Sequence, residues 1–300
     1  MATFNWTNNP YFTTNRYKSP HGSDVTGDGT ANKPYRTIQK CIDSGGLSIQ
    51  CAPEVIREIF TGGPTLYLEP GCIVDTFVND NYAVSTRGGK IVGGKFNPPV
   101  LRDAMFMGNL SGNHAQATAN SRFNFVFKGY SITSYYFGNN GGNIYKGTII
   151  KHRVNFPINN TGTLVYPMGI NRCIFVDCLI FALFPFAAAD PNSHDFNLFW
   201  NCSFSFGTDA LANGLGTYYS LSQLESIYGM TGIDAVRAYY NARFGSNNVF
   251  NYSRIANPLF NNPDCDDYTL QANSPARHMA YDGTYIGAIV TGKQIGRAHV

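Results

Sequence analysis

A short pattern returns along this chain: a polar residue, then Gly or Cys, then alternating apolar positions. Lys128-Gly129-Tyr130-Ser131-Ile132 and Lys146-Gly147-Thr148-Ile149-Ile150 are offset by 18 residues. Asp177-Cys178-Leu179-Ile180 and Asn201-Cys202-Ser203-Phe204 are offset by 24. Further β-rich pieces stand at 90–96 (KIVGGKF) and 173–181 (CIFVDCLIF). Units this short cannot bury a face alone, so they must stack on their neighbours. Parallel strands stack about 4.8 Å apart, and a small Gly or Cys at matching positions lets successive units approach. The repeat therefore predicts a stacked β-solenoid.

Composition agrees. Only 14% of the 300 residues are charged, against about 25% in ordinary domains. Polarity comes instead from Asn, Ser, Thr, Gly and Tyr, which suits strands joined by tight turns. A net charge of +3 without a basic run argues against nucleic-acid binding. The most apolar run, 173–189, carries Asp177 and Pro185. It falls short of the roughly 20 residues of a spanning helix, so no membrane partner is expected. Seven cysteines without CxxC spacing fit neither a disulfide framework nor a zinc site and read as buried thiols. The start, MATFNWTNNPYFTTNRYK, lacks the basic-then-apolar pattern of a secretory signal. The last residues, 294–300, resemble one frame of a sequencing adapter and are expected to be a scar.

Helical spacing appears twice. Ile38, Cys41 and Ile42 lie on one face of a short segment after Pro34. Near 220–245, Leu221, Leu224 and Ile227 mark one helix and Val236, Tyr239 and Tyr240 another. Ser220 or Ser222 is placed to cap the first, with Glu225 in capping-box register to Ser222.

The closing segment carries Pro258-Leu259-Phe260, Asp267-Tyr268-Thr269-Leu270, Ser274-Pro275-Ala276 and Asp282-Gly283 through Gly287-Ala288, in that order. It resembles the final coils of pectate-lyase-like right-handed β-helix proteins, and the opening GDGTANKPYRTIQKCID resembles their N-terminal turn and capping helix. The resemblance implies an all-β chain, a single right-handed parallel β-helix. It would have an N-terminal arm and capping helix over 1–45, the stack over 46–290 and a helical insertion about 209–250. It also implies a polysaccharide or cell-surface glycan as partner and, by analogy with phage tailspikes, a homotrimer.

The family's catalytic sets do not carry over, because neither Gly-His-Gly nor Arg-x-Lys occurs. The best local constellation for acid–base work is Asp190, His194 and Asp195, in a turn between two strong strands. Lys151 and Arg153 suit contact with an acidic glycan, and Tyr135, Tyr136 and Trp200 suit stacking on sugar rings. No cofactor is expected. Asp24 to Gly29 resembles half a calcium loop, but Thr26 replaces the third-position ligand and Tyr35 stands where the bidentate glutamate belongs. The expected function is glycan binding by a phage virion appendage, with cleavage left open. The alternatives are an exported bacterial polysaccharide lyase or hydrolase, and a structural surface protein without catalysis.

Overall fold

The structure is a computed structural model that describes residues 5–6, 14–62, 64–69, 71–74, 85–87, 90–95, 101–102, 105–109, 122–128, 137–138, 144–151, 153–156, 170–182, 195–206, 217–244 and 250–288. Its backbone is a long ladder of short parallel strands. One path runs through Arg16–Lys18, Ser48–Cys51, Thr65–Leu68, Ser85–Arg87, Leu101–Arg102, Arg122–Lys128, Ile144–Ile150, Ile174–Val176, Leu198–Trp200 and Arg254–Ile255. It belongs to a 15-stranded sheet. A second sheet of five strands places Phe137–Gly138, Arg153–Phe156, Leu179–Ala182 and Ser203–Phe206 in parallel. Its last strand, Tyr219–Ser220, runs antiparallel.

Register follows the chemistry of each column. Ile149, Phe175 and Phe199 are mutual partners along the ladder and all are fully buried. The Phe175 and Phe199 rings stack at 5.2 Å and 13°. Such a contact adds about 0.5–1.5 kcal/mol beyond its buried area. Gly147, Cys173, Asn197 and Ser253 occupy one register position and bond from strand to strand. The Gly147 amide donates to Cys173 Sγ at 3.4 Å, Cys173 to Asn197 Oδ1 at 2.9 Å, and Asn197 to Ser253 Oγ at 3.1 Å. A small polar side chain here satisfies the amide of the strand below it, which a buried ladder end requires.

The expectation of an all-β, single right-handed parallel β-helix is overturned. Among the described residues the sheets mix parallel and antiparallel pairs, three α-helices are present, and no closed solenoid is formed. Repeated strands specify in-register stacking, which any parallel ladder satisfies. Closure depends on where the segments between strands return, and the spacing of the strands does not encode that. Here partner residues are offset by 22 (Phe127 and Ile149), 26 (Ile149 and Phe175), 24 (Phe175 and Phe199) and then 56 (Phe199 and Ile255). The 18-residue offset is corrected with it: Lys128 lies opposite Ile150, not Lys146.

The helices lie where their spacing put them. Helix α1 (Ile38–Asp43) is capped by Thr37 and buries Ile38 and Cys41. Helix α2 (Leu221–Tyr228) is capped by Ser220 with Gln223 in a reciprocal capping box. Ser222 and Glu225 do not form that box. Helix α3 (Ile233–Phe244) buries Val236, Tyr239 and Tyr240. None of the described helices is long and apolar enough to cross a membrane.

Residues 257–288 lie on the outer face of the ladder as a strap. Tyr268 and Ala288 pack with Val126 and Ile150, while Ala276, Met279 and Ile286 pack with Ile174, Phe196 and Leu198. Its anchors are polar. Gly287 donates to the Arg172 carbonyl at 2.7 Å, Ala288 to Thr148 Oγ1 at 3.0 Å, and Lys128 pairs with Asp266 at 3.3 Å.

Candidate functional site

The ladder turns sharply after three successive strands of its main path, Ile144–Ile150, Ile174–Val176 and Leu198–Trp200. Lys151, Asp177 and Asn201 each take the left-handed conformation, at φ 53°, 52° and 51°. Non-glycine residues rarely do so, and Asp and Asn tolerate it best. The turns stack: the Lys151 amide donates to the Val176 carbonyl, and the Asp177 amide to that of Trp200, each at 3.0 Å. Asn201 Nδ2 reaches back to Asp177 Oδ1 at 2.5 Å. Beyond Asn201 the chain forms Ser203–Phe206 of the second sheet and then α2 and α3, and it rejoins the main path at Arg254–Ile255, which covers Leu198 and Phe199 but not Trp200.

A cavity of about 500 Å³ opens at that step. Phe199, Phe204 and Ile255 supply apolar walls, and Trp200, 40% exposed, stands at its edge. Polar groups come from Asn201, Ser203, Ser220, Ser222 and Glu225. Antiparallel pairing of Ser203 with Ser220 brings the start of α2 to this wall. Ser220 Oγ lies 3.0 Å from Ser222 Oγ, and Glu225 Oε1 accepts from the Gly232 amide at 2.8 Å, tying α2 to the turn before α3. An aromatic ring beside hydroxyls, an amide and a carboxylate is a set that fits a polyol with one apolar face.

No family model, curated protein or solved structure matches the chain. The residues alone therefore carry the reading of this site.

Of the residues expected from sequence to form a site, Trp200 lies at the cavity. Lys151 is exposed on the same column of turns as Asn201, two strand spacings or roughly 10 Å away. Arg153 opens the strand Arg153–Phe156, opposite Leu179. Tyr135, Tyr136, Asp190 and His194 lie outside the described residues.

Asp195 is fully buried at the other end of the strand that carries Trp200. Its Oδ1 accepts from the Phe196 amide at 2.8 Å, the Tyr252 amide at 2.7 Å and Ser253 Oγ at 3.0 Å. Oδ2 has no hydrogen-bond partner among the described residues. Burial pushes this carboxyl above its ordinary range, against the pull of those three donors and of Arg237. This geometry makes Asp195 a clamp that fixes the returning strand.

Asp24 and Asp28 also serve local structure. Asp24 accepts from the Arg36 and Thr37 amides and the Thr37 hydroxyl, and Asp28 from the Thr30 amide and hydroxyl. No cluster of three metal-ligating side chains occurs among the described residues.

Sequence reasoning missed Asn201, Ser203, Ser220, Ser222 and Glu225 as site residues. The capping pattern at Ser220 marks a helix start, but no local signal says that this start faces Trp200.

Proposed function

We propose that the protein binds a glycan in the cleft beside Trp200, at a cell surface or on a virion. The observation that carries this reading is the exposed Trp200 at the edge of a cavity of about 500 Å³ ringed by hydroxyl, amide and carboxylate groups. Sugar rings present an apolar face to an aromatic plane and hydroxyls to such groups. Low overall charge supports the same reading, since among the described residues the cleft has no cationic lining to select a phosphate-rich ligand.

Binding without cleavage fits the cleft better than hydrolysis. Glycoside hydrolysis ordinarily uses two carboxyl groups roughly 5–9.5 Å apart. Among the described residues the lining contains one, Glu225, and one of its oxygens already accepts the Gly232 amide.

The test incubates the protein with acidic and neutral polysaccharides and scores retained protein and released oligosaccharide in the same tubes. Retention without release, weakened by Trp200→Ala, is the expected outcome. Release that is lost in His194→Ala would instead make the protein a polysaccharide-cleaving enzyme. Absence of retention on every polysaccharide would end the glycan reading and leave a structural role.

A further inference from the structure

Three aromatic side chains are strongly exposed among the described residues: Trp200, Tyr252 and Tyr281. Two of them meet at a single buried ring. Tyr252 is 59% exposed and Tyr281 75%, and both lie against Phe196, which is 8% exposed. Tyr252 stacks on Phe196 at 5.1 Å and 7°. Tyr281 meets the same ring edge-on, at 5.9 Å and 65°. One tyrosine thus lies nearly parallel to Phe196 and the other stands steeply to it.

This corner is held rigid from beneath. Phe196 adopts φ 57°, and its amide and that of Tyr252 donate to the same oxygen of Asp195. The Arg172 guanidinium sits 4.1 Å from the Tyr281 ring centre and pairs with Asp282 at 3.0 Å. Asp282 in turn accepts from the Thr284 amide and hydroxyl, at 3.0 and 2.6 Å. The elements are distant in sequence: a ladder turn, the strand returning from the helices, and the strap. Rings ordered before a ligand arrives spare it the cost of ordering them.

We propose that Tyr252, Phe196 and Tyr281 form a second saccharide-binding platform, one that takes a pyranose ring of a neutral glycan. The apolar face of such a ring stacks on one tyrosine while the other walls its edge. The Asp282 carboxylate, exposed at the rim, accepts from sugar hydroxyls. An acidic sugar is disfavoured, because the neighbouring cation, Arg172, is buried and already engaged by Asp282. The platform shares its substrate class with the function proposed above and rests on that reading. Phe196 and Trp200 lie four residues apart on one extended segment, about 13 Å, so one glycan chain can span both sites and gain from their linkage.

Affinity electrophoresis separates the two claims. The full chain is run through gels containing a galactomannan, a mixed-linkage β-glucan or polygalacturonate, beside Trp200→Ala, Tyr252→Ala, Tyr281→Ala and Tyr281→Phe. Thermal melts check that each variant is folded. Retardation by a neutral polysaccharide is expected, with binding weakened about fivefold by each tyrosine-to-alanine change. Tyr281→Phe keeps the ring and should bind as the parent does. Loss with Trp200→Ala but not with either tyrosine variant would overturn the platform and leave the cleft standing. Loss with the tyrosine variants alone would support the platform against the cleft. Stronger retardation by polygalacturonate than by either neutral polymer would overturn the assigned ligand class. A Tyr281→Phe variant as weak as Tyr281→Ala would overturn ring stacking. No retardation of the parent in any gel would overturn both sites.

Discussion

Asp195 shows how one side chain can close a long excursion. The main path of the ladder is interrupted between Trp200 and Arg254, and the carboxylate meets the returning backbone at Tyr252 and Ser253. Asp195→Ala strands those donors and should cost about 2–3 kcal/mol in urea unfolding. Asp195→Asn keeps an acceptor and removes the titration. Burial raises the folded-state pKa of Asp195, so its favourable contribution is present below the unfolded value, about 3.9, and is lost as pH rises through the folded value. The stability of Asp195→Asn relative to the parent should therefore improve from about pH 4 to pH 7. A difference that stays flat over that range would remove the charge from the account. Asp282 has the opposite sign. The Thr284 hydroxyl and amide, with Arg172, hold its pKa down at about 2. Its contribution is present above the ordinary carboxylate value and is lost as pH falls through about 2.

Among the elements, the strap of residues 257–288 depends on close approach to the ladder. Gly287 has φ 78°, and a Cβ there would lie 2.4 Å from Ile174 Cδ1 and 3.1 Å from Thr148 Oγ1. Both the backbone conformation and the contact exclude a larger residue. Gly287→Ala should lower stability by about 1–3 kcal/mol. It should also speed amide exchange at Gly287 and Ala288, whose hydrogen bonds anchor the strap. A variant as stable as the parent, with those amides equally protected, would mean that the strap is not docked through this glycine. Because Tyr281 belongs to the strap, loosening it should also weaken any ligand held at the tyrosine corner.

Across the whole molecule, the cysteines report how tightly the ladder is filled. Six of the seven thiols are buried, and Cys265 is exposed on the strap. Burial pushes the Cys41, Cys72 and Cys173 thiols up to about 12, which suppresses the reactive thiolate. Titration with a chromogenic disulfide should find one rapidly reacting thiol in the native protein and seven in denaturant, with the native signal abolished by Cys265→Ser. Two or more fast thiols in the native state would show that the stacked interior opens on the timescale of the reaction.

The sequence by itself determined the local elements. The β-rich piece at 173–181 predicts the strands Ile174–Val176 and Leu179–Ala182, and spacing alone locates α1, α2 and α3. These features depend on neighbours a few residues apart, so periodicity reveals them. It also marked Trp200 as a ring worth exposing. The tertiary structure decided the rest: the register of 22, 26 and 24 residues, the antiparallel strand against Ser203–Phe206, and the lack of a closed solenoid among the described residues. It also decided that Asp195 is a buried clamp and that Tyr252 and Tyr281 share one neighbour. Each of these joins residues tens of positions apart, and loop length costs too little free energy for spacing to foretell which of them meet.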